Sequence, residues 1–168
     1  MVEVVIDSIR ISLISQHRIV MLRDIDGDRQ LPIWIGPCEA EAITIELQDV
    51  EIARPVTHDL LKNVIDEMKG TVSHILINDL KEQVFHARLY IDQGGQMLEI
   101  DCRPSDSIAL AVRAKVPIFV EEAVMEEAGI TPEPDIQEET VLGDEPEKLD
   151  AFKDFVDTLD FDDFEGDE

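Results

Sequence analysis

The chain has 168 residues, 44% of them hydrophobic, with 39 acidic against 14 basic side chains and a formal net charge of −25. That length suits one domain plus an appendage; no run approaches the roughly 18 to 20 apolar residues of a membrane span, and two cysteines, Cys38 and Cys102, are too few for a disulfide framework and lack a zinc or redox spacing. The charge also restricts function, because nucleic-acid affinity rests largely on Lys and Arg displacing counterions from phosphates, so RNA or DNA is repelled unless local groups overcome the field.

Charges interrupt the opening MVEVVIDSIRIS, unlike a signal peptide, so a cytoplasmic protein without membrane association is expected. Residues 2–14 and 17–25, rich in Val, Ile and Leu, predict strands. RIVMLRDIDGDRQLPIWIG has the pattern of a hairpin, with Asp26-Gly27 as a two-residue turn of positive φ and Asp24 opposite Arg29. EAEAITIELQDV at 39–50 predicts a helix. Thr57 is placed to cap a second helix whose apolar positions are Leu61, Val64, Ile65 and Met68, with Gly70 as its C-terminal glycine.

Strands follow at 71–77, 84–92 and 97–102. A Gly94-Gly95 turn sets the register of the last two: Leu89 faces Ile100, Ile91 faces Leu98, Arg88 faces Asp101 and Tyr90 faces Glu99. Apolar then meets apolar, and Arg88 meets an acid. Next comes DCRPSDSIALAVR, where Pro104 ends the strand and Ser105 or Asp106 is expected to cap a helix. RPVTHDLLKNVI at 54–65 and RPSDSIALAVRA at 103–114 share Arg-Pro followed by a helix, which suggests a duplicated strand-helix unit. A short strand at 117–121 and a helical turn, EAVMEEAGI, close a body spanning residues 1–130.

The expected fold class is α+β: a compact domain of mainly antiparallel strands with about three helices and an acidic C-terminal tail. Residues 131–168 hold 16 of the acids and 2 of the basic residues. Residues 131–147, with Pro132, Pro134 and Pro146, read as a linker. The tail at 148–168 carries four of the six phenylalanines, and Leu149, Phe152, Val156 and Leu159 share one helical face, which predicts a helix at 148–160 docking on a protein surface: its own body, a neighbouring subunit or another protein partner.

The polar residues of DCRPSDS have two readings. An acid in a first helical turn is favoured by the helix dipole, which accounts for Asp106. It does not account for Asp101 and Arg103 on one strand face together with His86, Arg88 and Tyr90, an arrangement suited to holding a phosphate or, through the acids, a divalent cation. Glu39, Glu41 and Glu46 form a second cluster, and His58 with Asp59 a third. No HxH, HExxH or Cys/His spacing supports zinc, and there is no P-loop, GxGxxG or GxSxG.

Taken together, LPIWIGPCEAEAI (31–43), RPVTHDLL (54–61) and DCRPSDSIALAVR (101–113), three blocks in the same order, resemble the bifunctional nuclease family. The resemblance covers about residues 1–130, with Ser107 in place of the expected alanine. It implies a compact α+β domain and an activity on both RNA and DNA.

Two functions of different class follow. The first is a metal-dependent phosphodiesterase with nucleic acid as substrate: Asp101, Asp106, Glu39 and Asp59 bind Mg²⁺ or Mn²⁺, Arg103 or Arg54 clamps the phosphate, and His58 carries the proton. The second is a non-catalytic binding or scaffold module, in which these residues cap helices and line a contact in a homo-oligomer while the tail recruits a partner.

Overall fold

The computed structural model describes residues 1–11 and 17–132. Along them run β1 (Val2–Ile11), β2 (Arg18–Asp24), β3 (Gln30–Ile35), α1 (Pro37–Leu47), α2 (Thr57–Glu67), β4 (Thr71–Lys81), β5 (Val84–Gln93), β6 (Gln96–Cys102), α3 (Pro104–Ala114), β7 (Ile118–Val120) and α4 (Glu122–Ala128). The α+β class holds, with four helices where about three were expected. The expected linker, apart from Thr131 and Pro132, and the expected docking helix lie outside the described residues. None of the described helices is long and apolar enough to cross a membrane.

The strands form one sheet in the order β3-β2-β1-β7-β4-β5-β6. β7 pairs antiparallel with β1 and parallel with β4, and every other neighbouring pair is antiparallel. Strand alternation sorts the faces: Ala87, Leu89 and Ile91 of β5 enter the core while Arg88 and Tyr90 point the other way. The sheet curls enough for β3, the β4–β5 turn and the start of α3 to line one cavity of about 260 Å³.

The β5–β6 hairpin has the expected register throughout, with Gly94 and Gly95 at φ 64° and 87°. Arg88 lies 3.5 Å from Asp101 and 3.4 Å from Glu99. On the same face His74 stacks on Tyr90 with ring centroids 4.3 Å apart.

The β2–β3 register is also as expected, but its turn is not. Gly27 does not take a positive φ; instead the buried carboxylate of Asp24 accepts the Asp26 N–H at 3.0 Å and is paired with Arg29 at 3.0 Å. The Asp26 N–H and Arg29 hold the Asp24 carboxyl below the usual range against the opposing effect of burial. A side-chain hydrogen bond does here what backbone freedom was expected to do.

A duplication is present, though not the one suggested by the two Arg-Pro pairs. Three antiparallel strands, β1 to β3, lead through Gly36-Pro37 into α1, and three more, β4 to β6, lead through Arg103-Pro104 into α3. Pro37 and Pro104 both open their helices, where a missing N–H costs nothing. Pro55 instead precedes the N-cap of α2, which follows no strand directly. α2 is an addition to the repeat.

α3 is the most enclosed helix, packed against α1, α2, β4 and β5. Its Ser107, Ala109 and Ala111 are buried and small enough for neighbouring backbones to approach. The Ser107 hydroxyl donates to the Pro104 carbonyl at 2.9 Å, so the residue that departs from the family pattern is satisfied locally. Neither Ser105 nor Asp106 caps this helix: the N-cap is Arg103, with no side-chain cap bond.

Thr57 likewise does not cap α2. Its N-cap is Val56, whose N–H is accepted by Asp59 at 2.9 Å. Of the four apolar positions expected to pack, only Ile65 is buried; Leu61, Val64 and Met68 are exposed. At the far end the positive φ of 64° belongs to Lys69. Gly70 is required for space, since a Cβ there would lie 2.9 Å from Ile91 Cγ2.

Candidate active site

The two halves of the repeat meet at their helix starts. Each helix has an acid at its third position, Glu39 in α1 and Asp106 in α3, where the exposed amides and dipole favour negative charge. Arg103 joins them. Its Nε and Nη2 donate to the two Asp106 oxygens at 2.7 and 3.0 Å, and Nη2 also donates to Glu39 Oε1 at 2.9 Å. Such bidentate, charge-assisted bonds are stronger than neutral ones and fix orientation.

α2 brings the third component. His58, buried in its first turn, places Nε2 3.4 Å from Asp106 Oδ1. Its Nδ1 is buried without a partner among the described residues. Burial pushes the Asp106 carboxyl upward, but Arg103 and then His58 outweigh it and hold the group below the usual carboxylate range. Asp106 first, and then Glu39, raise the Arg103 guanidinium against burial. Asp106 is therefore ionised at neutral pH, and Arg103 stays cationic.

The cluster opens onto two adjoining spaces. One, of about 410 Å³, has Glu39, Glu41, Thr57, His58, Arg103 and Asp106 in its wall. The other, of about 600 Å³, is bounded by His58, Arg103 and Asp106 together with Asp101, His86, Leu61, Val84 and Phe85. The Arg103 side chain is 67% exposed, and its Nη1 makes no hydrogen bond among the described residues.

The expected site residues thus divide. Glu39, His58, Arg103 and Asp106 form one chain of contacts. Asp101 borders the larger cavity, but its carboxylate turns to Arg88 on the outer sheet face. Asp59 faces away and pairs with the buried Arg113, which also donates to the Ala109 carbonyl at 2.7 Å. Arg54 is exposed upstream of α2, outside the walls of both cavities and without an ion pair among the described residues. Glu46 lies outside both walls too.

The proposed ligand set of Glu39, Asp59, Asp101 and Asp106 is therefore dispersed. Among the described residues no three His, Cys, Asp or Glu side chains are grouped to hold a metal ion. The donors do not fit one, because Arg103 and Arg113 already compensate three of the four acids.

Sequence reading missed Arg113 and the link from Arg103 to Glu39. The first left a signal: a lone arginine inside SIALAVR must find a counter-charge if that helix is buried. The second had none, since residues 39 and 103 belong to different repeats.

The chain matches the bifunctional nuclease domain over residues 20–133. It is 40% identical to an uncharacterized protein of Mycobacterium tuberculosis over 162 residues, which is 96% of this chain and 97% of that one. It is 34% identical to bifunctional nuclease 2 of Oryza sativa subsp. japonica over 115 residues, and 31% identical to bifunctional nuclease 2 of Arabidopsis thaliana over 110 residues. Those stretches cover 66% and 63% of this chain but only 35% and 33% of the plant proteins.

Proposed function

Because the chain belongs to the bifunctional nuclease family, we propose that it hydrolyses phosphodiester bonds of RNA, DNA or both where the starts of α1, α2 and α3 meet. The observation that carries this reading is Arg103: a guanidinium held in place by Glu39 and Asp106, with an unused Nη1 edge at the mouth of two cavities and His58 beside it.

In this scheme Nη1 and the exposed edge of Arg103 bind a phosphate oxygen and offset charge that builds up at phosphorus. Water attacks phosphorus, the P–O bond to the leaving sugar oxygen breaks and the water's proton ends on that oxygen, while His58, its Nε2 facing Asp106, helps to hold the carboxylate that anchors Arg103. No step is routed through Mg²⁺ or Mn²⁺, since the acids present do not form a seat for either.

The test is hydrolysis of labelled RNA and DNA by the full chain with Mg²⁺, with Mn²⁺ and with EDTA. Arg103→Ala and Asp106→Asn are each expected to lower the rate about a hundredfold or more while leaving the fold intact. Equal activity in both variants would remove the site from the account. Activity that survives EDTA supports the metal-free scheme.

The scaffold reading has its own observation, the exposed Leu60, Leu61, Val64 and Met68 of α2. A homo-oligomer would cover such a stripe. Sedimentation of wild type beside Val64→Ser tests it: a substitution that lowers the mass without touching hydrolysis assigns the stripe to subunit contact.

A further inference from the structure

Resting on the nuclease reading, we propose that the cavity of about 600 Å³ beside Arg103 is a nucleobase subsite. The substrate is then single-stranded nucleic acid, one base of which leaves the stack to enter it.

The cavity has a mixed lining. Arg103, Asp106 and His58, with Asp101 and His86, are its polar part; Leu61 of α2 and Val84 and Phe85 of β5 are its apolar part. Leu61 is 40% and Val84 58% exposed, so both apolar side chains stand in solvent beside His58, Arg103 and Asp106. A phosphate needs no apolar wall. A nucleotide does, because its flat base has to be sheltered a short distance from its charged group. The volume also exceeds what a phosphate fills and lies inside the range of small-molecule sites, roughly 300–1,000 Å³.

Charge makes the same point independently. Arg103 is already matched by Glu39 and Asp106, and the chain carries −25. Counterion release, the usual main source of affinity for nucleic acid, is nearly absent here. Base contact is the remaining source, and it is sequence-tolerant because every base has a π-face. A paired base must first be unstacked and unpaired, which costs least in a single strand.

The experiment measures fluorescence anisotropy of the full chain with three labelled probes: a short single-stranded oligodeoxynucleotide, the same backbone carrying abasic sites, and the duplex. The single strand is expected to bind about tenfold tighter than the abasic probe, and the duplex no tighter than the abasic one. Raising the salt is expected to change the single-strand Kd little. Val84→Ser and Phe85→Ala should bring the single strand toward the abasic value; Phe85 also packs against the core, so the more exposed Val84→Ser is the decisive variant.

Equal binding of the base-bearing and abasic probes overturns the proposal, as does duplex binding as tight as single-strand binding. It is also overturned if Val84→Ser dissociates an oligomer and leaves oligonucleotide binding unchanged, for then the wall is a contact between copies. Arg103→Ala separates the two levels of the argument. An equal loss for both single-stranded probes supports the phosphate clamp, whereas no loss with the base preference retained sinks the catalytic reading and leaves the base subsite standing.

Discussion

Replacing Asp59 by Ala strips the Arg113 guanidinium of its counter-charge in a place where water cannot substitute for it. The Arg113 side chain is only 3% exposed, its Nη1 is taken by the Ala109 carbonyl, and its Nη2 already has no partner. Breaking a buried ion pair from one side costs about 3–5 kcal/mol. Asp59 itself is 24% exposed, which moderates the figure, while the Val56 N–H loses its acceptor at the start of α2, about 1 kcal/mol more. We expect a loss of about 3 kcal/mol for Asp59→Ala, and about 2 kcal/mol for Arg113→Met, where the stranded carboxylate still reaches water. The double variant should cost at least about 1 kcal/mol less than the two singles added. Urea unfolding followed by circular dichroism at pH 7 reads all three as shifts in midpoint at constant m. The pH dependence has a definite sign. Burial alone would raise the Asp59 carboxyl, but Arg113 and the Val56 N–H outweigh it and depress the folded value. The pair's contribution is therefore complete above the unfolded value of about 3.9 and is lost as the pH falls through the folded one. Additive singles, or either single within about 0.5 kcal/mol of wild type, would refute the assignment of this pair as the anchor of α2.

Gly36→Ala places a Cβ 2.1 Å from Glu39 Oε2; that flexible carboxylate swings away, so melting should shift little while a crystal structure shows the Glu39–Arg103 bond broken. Gly70→Ala meets Ile91 and Ile65 at 2.9 and 3.1 Å inside the core, and chemical denaturation should show a loss of about 1–3 kcal/mol. Gly95→Ala forces a residue with a side chain to φ 87°, with a cost of about 1–2 kcal/mol and no steric clash, because nothing lies within 4 Å. In the hydrolysis assay, His58→Gln should lower the rate about tenfold by loosening the Asp106 carboxylate that orients Arg103.

How far the sequence could be read depended on how local the determinants were. The β5–β6 register followed from Gly94-Gly95 and side-chain pairing, all within a few residues of one turn. At Asp26-Gly27 the same logic failed because Asp24 supplied a hydrogen bond that glycine was expected to make unnecessary. The helical spacing of Leu61, Val64 and Met68 found α2 but could not say that it packs on α3 and β4 with only Ile65 of its apolar positions pressed inward. In the candidate site, Arg103 and Asp106 were legible from a helix start, and His58 from a shared motif. The dispersal of Asp59 and Asp101 was not, because it depends on Arg113 and Arg88, partners set by the packing of α2 on α3 and by the outer face of the sheet.

β7 has three residues, and it is the splice between the two meanders, with Val2 opposite Val120 and Ile75 beside Ile118. Its late place in the chain has a consequence for biosynthesis. Both meanders leave the ribosome before the segment that joins them, and until it arrives β1 and β4 each offer a bare border of Val and Ile to whatever strand is nearest. Newly made chains are then at their most vulnerable to mispairing with one another, so a chaperone that shields strand borders during synthesis would raise the yield more than one that assists the finished domain.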